Sequence, residues 1–140
     1  MQIRFMQMDD YDAAVQLWKQ IDGLRLTAAD DSEIGLRRYL TRNPNTCFVA
    51  VDEDKIIGTI LSGHDGRRGY IYHMAVAPAY QKQGVGKALL QSALSALKTE
   101  GIGKAALVAL DSNLTGNAWW NKQGFAARND LIYRDFVIGE

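Results

Sequence analysis

Ile3 and Phe5 alternate with polar neighbours, the two-residue period of a short strand. The period then lengthens: Ala14, Leu17, Trp18 and Ile21 fall at helical spacing behind a cap at Asp9 or Asp10. Gly23 is placed to end that helix. A second helix is predicted from Asp31 or Ser32, burying Leu36, Tyr39 and Leu40, until Asn43-Pro44 stops it. Cys47 to Val51 and Ile56 to Leu61 read as a hairpin across a tight turn at Asp52-Glu53-Asp54-Lys55. Gly63 to Gly69, rich in glycine and charge, reads as a second turn. Tyr70 to Ala77 follows as a strand, halted by Pro78, which cannot donate to a ladder. On a regular strand Tyr70 and Tyr72 share one face and His73 points the other way.

Val85, Leu89, Ala93, Ala96 and Leu97 then keep helical spacing up to Glu100-Gly101. Lys104 to Leu110 is the next strand, and Asn113 caps a short helix through Lys122 that closes at Gly124. Leu131 to Ile138 alternate as a final strand. The order β-α-α-β-β-β-α-β-α-β describes one mixed α/β domain over residues 1–140, with no repeat or linker.

Composition narrows the class. A chain of 140 residues that is 47% hydrophobic and 23% charged suits one globular domain with a proper core. Sixteen basic residues balance sixteen acidic ones, whereas a nucleic-acid binder carries a basic excess. No apolar run approaches the roughly 18 residues that span a bilayer, and the N-terminus lacks the plan of a signal peptide. A single cysteine, Cys47, excludes an internal disulfide, fits the cytoplasm and reads as a small buried hydrophobe. The charge is uneven along the chain. Asp9, Asp10, Asp12, Asp22, Asp30, Asp31 and Glu33 crowd the first 35 residues, while Lys82, Lys87, Lys98 and Lys104 face only Glu100 between 81 and 104. Caps and solvated faces account for such acids. An amine-attracting front half and an anion-attracting middle would produce the same pattern.

The anion-attracting part centres on Gln81-Lys82-Gln83-Gly84-Val85-Gly86-Lys87, which leads from a strand into a helix. Two glycines without Cβ atoms let a bulky anion reach the backbone. The opening helix offers unpaired N–H groups and its positive dipole end. A nucleoside-triphosphate P-loop would need a hydroxyl after the lysine, where Ala88 stands. A dinucleotide-binding turn would need a glycine at Leu89 and would follow the first strand of a βαβ unit. Both readings fail.

With its flanks, Met74-Ala75-Val76-Ala77-Pro78-x-Tyr80-Gln81-x-x-Gly84-x-Gly86-x-Ala88-Leu89-Leu90 resembles the acetyl-CoA motif of the GNAT superfamily of N-acetyltransferases. In that family Gln/Arg-x-x-Gly-x-Gly/Ala lies between the fourth strand and the third helix. Asn113 to Phe125 is similar to the family's late Asn…Tyr-x-x-x-Gly-Phe element, and the order of elements matches across nearly the whole chain. The resemblance implies a GNAT fold, a mixed and mostly antiparallel sheet flanked by helices. It also implies acetyl-CoA as co-substrate, an amine acceptor and no metal. The strand at Met74, Ala75 and Val76 would hydrogen-bond the pantetheine arm, and the Val76 amide would be the oxyanion donor. The amides of Gln83, Gly84, Val85, Gly86 and Lys87 would surround the pyrophosphate. Gln81 and Lys82 would set the loop and meet the phosphates, Asn113 would contact the arm, and Trp120 would cover it. The acidic segment of Asp22, Asp30, Asp31 and Glu33 would lie near the acceptor entrance, which favours a cationic acceptor.

Two familiar acid–base positions differ. Trp120 stands where the family has its tyrosine, and an indole N–H only donates hydrogen bonds. Val108 stands where relatives carry a glutamate base. Tyr72, His73 and Asp111 are the substitutes: Tyr72 as proton donor or packing residue, His73 as base or satisfied imidazole, Asp111 as water-linked relay or turn residue. An amine that loses its proton to water, with catalysis resting on positioning, is equally consistent. The missing tyrosine and glutamate also leave open a non-enzymatic acyl-CoA-binding domain. Apolar final strands in such small domains often pair between chains, so a homodimer is a further expectation.

Overall fold

The computed structural model describes residues 1–139, which fall into two compact units, residues 1–107 and 108–139. The first holds a five-stranded sheet in sequential order: β1 (Gln2–Phe5), β2 (Phe48–Asp52), β3 (Lys55–His64), β4 (Gly69–Val76) and β5 (Ala105–Ala106). The first four strands pair antiparallel, and β5 joins β4 in parallel at Gly69 and Tyr70. Helices α1 (Tyr11–Trp18), α2 (Ala28–Asp31) and α3 (Glu33–Arg42) separate β1 from β2, and α4 (Val85–Thr99) separates β4 from β5. This is the mixed, mostly antiparallel and helix-flanked sheet expected. The β2–β3 turn carries positive φ at both Glu53 and Asp54, the backbone of a two-residue hairpin loop.

Each face of the sheet buries its own layer. Cys47, Val49, Leu61 and Ala75 meet Ala14, Leu17 and Trp18 of α1 and Leu36 and Leu40 of α3. Val85, Leu89, Leu90, Ala93 and Leu97 of α4 are buried on the opposite side. Glycine sets the closeness of that second layer: a Cβ on Gly58 would lie 2.9 Å from Leu89 and 3.2 Å from Val85. The helix ends follow local chemistry. Ser32 caps α3 by accepting from the Gly35 N–H, and Thr27 caps α2 through the Asp30 N–H. The one-turn α2 carries no apolar stripe and is not legible in the periodicity.

β4 is not a regular strand. Thr59 pairs with Ala75 and Leu61 with Tyr72, so β4 accommodates one extra residue, and His73 there has φ 42°. The bulge resets the side-chain alternation. Tyr72 meets Tyr39 of α3, while His73 meets Trp18 of α1, on the same face. The expected opposition of Tyr72 and His73 is therefore corrected, because a bulge breaks the two-residue period from which it followed.

The second unit contains α5 (Leu114–Lys122), capped by Asn113 Oδ1, which accepts from the Gly116 N–H at 3.0 Å. Gly124, at φ 95°, closes it as expected. Two strand expectations are corrected. Lys104 to Leu110 contributes only Ala105–Ala106 to the sheet, and residues 131–138 form no strand. Leu131, Ile132, Tyr133, Phe136, Val137 and Ile138 are exposed, so the alternation there has no ladder to serve.

Candidate active site

The end of β4 and the start of α4 bring ten of the expected residues into one continuous turn. Ala77 donates its N–H to Ile57 at 2.8 Å, and in an antiparallel ladder such bonds alternate. The N–H of Val76, opposite Gly58, therefore points away from β3, toward an edge that β5 pairs only as far as Tyr70. The Val76 carbonyl accepts from Gln81 Nε2 at 3.1 Å. Met74 is half-buried and Ala75 is buried against α1 and α3.

Between strand and helix the backbone turns through Lys82 at φ 63° and Gly84 at φ 86°. Gly84 caps α4 without any side-chain bond, leaving the first-turn amides of Val85, Gly86 and Lys87 without a side-chain partner. A Cβ on Gly84 would meet nothing within 4 Å among the described residues, so the space above this turn is open. The side chains of Lys82, Gln83 and Lys87 are exposed around it, and that of Val85 is buried beneath. Open main-chain donors between two lysines fit a diphosphate. A separate cleft of about 530 Å³ lies between β1, α1 and the β2–β3 turn. It is lined by Arg4, Asp9, Asp10 and Lys55 among others and touches only Ala77 of the segment from β4 to α4, so it is not this seat.

The bulge is fastened from three sides. Trp18 Nε1 donates to Thr59 Oγ1 at 2.8 Å, and Thr59 donates onward to the His73 carbonyl at 2.8 Å. His73 Nε2 lies 2.6 Å from Asp31 Oδ1, and both side chains are mostly buried, at 14% and 8% exposure. Asp31 is itself held: its Oδ2 accepts from the Thr27 N–H and its carbonyl from the Tyr11 hydroxyl. Burial pushes the Asp31 carboxyl up, but the bonds from His73 and Thr27 outweigh it and leave the group below the usual carboxylate value. Asp31 and His73 are 42 residues apart in sequence, and no local signal pairs them. In the same region Tyr72 meets Tyr39 edge to face at 5.8 Å and a tilted Tyr70 at 4.8 Å, with Tyr72 half exposed. Burial raises the Tyr39 hydroxyl well above its ordinary value, and it alone among the buried side-chain polar atoms described lacks a partner.

Asp111, Asn113 and Trp120 belong to the second unit. Asp111 is an exposed turn residue, Asn113 caps α5, and Trp120 lies between Trp119 and Phe125 at ring separations of 4.8 and 5.0 Å. Val108 is exposed.

The sequence pattern of the acetyltransferase (GNAT) family matches residues 10–125. The chain belongs to that family. A Photorhabdus laumondii protein named acetyltransferase is 32% identical over 113 residues, covering 81% of this chain and 78% of its own. A Yersinia pestis protein, named an uncharacterized N-acetyltransferase, is 32% identical over 132 residues, covering 94% and 92%. Among solved structures, an aminoglycoside 6'-N-acetyltransferase of Acinetobacter haemolyticus superposes with a TM-score of 0.78 at 17% identity, over 99% of this chain and all of its own. A predicted acetyltransferase of Clostridium acetobutylicum, solved with acetyl-CoA, gives 0.72 at 23% identity, over 96% and 95%. In this GNAT acetyltransferase the glycine turn thus sits in the family's fold with its amides uncapped. Thr59, which helps fix the bulge, carries no signal in the sequence, and Asp31, expected there only as one acid of an acceptor-side segment, is bonded to His73.

Proposed function

We propose that this acetyltransferase transfers the acetyl group of acetyl-CoA directly to a primary amine, with residues 1–140 serving as one domain in the cytoplasm. The carrying observation is the pair of open main-chain features, the Val76 N–H at the free edge of β4 and the uncapped first turn of α4. In this reading the pantetheine arm lies along Met74, Ala75 and Val76 as an added strand. Its diphosphate rests on the amides of Gln83, Gly84, Val85, Gly86 and Lys87, with Gln81 and Lys82 shaping the turn. Asn113 and Trp120 attend the arm, and no metal takes part. The Val76 N–H stabilises the oxyanion. Tyr72, His73 and Asp111 are the side chains available for proton transfer.

The acceptor is a small-molecule amine, a peptide N-terminus or a lysine, and a cationic one suits the acids near α2. Asp31 is already bound by His73, and Glu33 lies 3.0 Å from Arg37, so that preference rests on Asp22 and Asp30. The charge balance argues against nucleic acid, and no helix among the described residues is long and apolar enough to cross a membrane. A homodimer that covers the exposed apolar residues of 131–138 belongs to the same proposal.

A coupled thiol-release assay across amines and peptides tests the reading, with calorimetry for acetyl-CoA binding. Binding with no release of CoA for any amine would favour the second reading, a non-enzymatic acyl-CoA-binding domain. Trp120 and Val108 at the usual tyrosine and glutamate positions are the observation behind it. No heat with CoA or acetyl-CoA would sink both.

A further inference from the structure

The two histidines of the chain are bonded differently. His64 has both ring nitrogens occupied, Nδ1 by the Gly66 N–H at 3.0 Å and Nε2 by Glu100 at 2.7 Å. His73 has one occupied, Nε2, by Asp31. No hydrogen bond reaches its Nδ1 among the described residues, and that atom is not among the sealed, unsatisfied ones. An ionised carboxylate can only accept, so the neutral ring keeps its hydrogen on Nε2 and presents a lone pair at Nδ1. The backbone carrying this ring is in the left-handed region at φ 42°, a conformation that costs energy for a non-glycine residue and is held by Thr59.

We infer that Asp31 is a positioning residue that holds His73 with Nδ1 ready to take the proton of the acceptor ammonium. The inference rests on the acetyl-transfer reading above and chooses among its candidate groups. His73 lies three residues before Val76, but the bulge takes up one of them, so the two stand about two strand steps apart, roughly 7 Å, with the amine between them. One ammonium N–H bond breaks and its proton passes to Nδ1. The amine lone pair then forms the C–N bond at the thioester carbonyl. The C–S bond breaks with its electrons leaving on sulfur, which takes the proton shed by the new amide nitrogen. His73 returns its proton to solvent. Around the ring, Asp31 of α2 bonds Nε2, Tyr11 of α1 donates to the Asp31 carbonyl, Tyr39 of α3 meets Tyr72 of β4, and the neighbouring Asp30 is exposed. Of these only Asp31 bonds the ring.

Nitrogen NMR of the free protein reads the ring directly. The expected result is an Nε2–H tautomer for His73 that becomes mixed in Asp31→Asn. In turnover, the ascending limb of the kcat/KM profile should vanish in His73→Gln. That variant should lose roughly 100-fold or more in kcat, the usual range for a general base. Asp31→Asn should lower kcat by less, with KM for acetyl-CoA unchanged. An Nδ1–H tautomer in the wild type overturns the inference, as does a His73→Gln enzyme with the wild-type profile. If no amine is turned over, the acetyl-transfer reading fails by itself, and the tautomer still decides whether the ring is oriented as stated.

Discussion

Thr59→Val isolates the hydrogen-bond relay behind the bulge. Valine keeps the shape of threonine but neither accepts from Trp18 Nε1 nor donates to the His73 carbonyl, two bonds of 2.8 Å each. Trp18 and Thr59 are both fully buried, so the indole N–H is left with no partner, at about 1–3 kcal/mol. The half-buried carbonyl can recruit water and costs about 0.5–1.5 kcal/mol. The sum, about 1.5–4.5 kcal/mol, is a sizeable share of the roughly 5–15 kcal/mol that stabilises a domain. At about 3 °C per kcal/mol for a chain of this size, Tm should fall by roughly 5–14 °C. Thr59→Ser is the reference, because it keeps both bonds and removes one methyl, at about 1 kcal/mol. Urea unfolding of the three proteins, with thermal melts alongside, makes the comparison. A valine variant as stable as the serine one would refute the reasoning, since hydrophobicity alone favours valine. A loosened bulge should also misaim the Val76 N–H and raise KM for acetyl-CoA in Thr59→Val more than in Thr59→Ser.

Gly84→Val should fold, because the space above the turn is open, but the side chain at φ 86° should cost about 1–2 kcal/mol and screen the amides. Calorimetry should register a loss of at least tenfold in acetyl-CoA affinity, and unchanged affinity would remove the diphosphate seat. Cys47, wholly buried and with its thiol pushed up to about 12 by burial, should resist a thiol reagent at pH 8 until the protein is unfolded. Rapid labelling of the native protein would contradict that packing. Asp10 is also subject to burial, which raises it, but Arg4 in a two-bond pair and the Gln7 N–H bring it below the usual value of 3.8. Asp31 behaves alike. A carboxyl held lower in the folded state than in the unfolded one stabilises above its unfolded value and loses that contribution as pH falls through its folded value. Stability should therefore drop below about pH 4, less so in Asp10→Asn, which acid unfolding followed by circular dichroism would check.

The sequence alone specified the parts whose cause is local. The 3.6-residue spacing of Leu89, Ala93 and Leu97 is enough to define a helix, because one face of it must leave water. Gly84 and Gly124 were legible for a similar reason: each serves a backbone conformation that other residues resist. The glycine turn shares that property, being built from consecutive residues, and so the family could be read from it directly.

Tertiary structure decided what depends on partners distant in sequence. The run at 131–138 alternates as a strand should, yet a strand exists only where another supplies its ladder. His73 turned to the face of Tyr72 because a bulge opposite Ile60 inserted one residue, which no pattern within β4 records. The carboxylate that orients its ring comes from a one-turn helix 42 residues earlier, brought there by the packing of α1 and α3 on the sheet. Main-chain chemistry follows the order of the residues, whereas side-chain chemistry follows the contacts that folding creates.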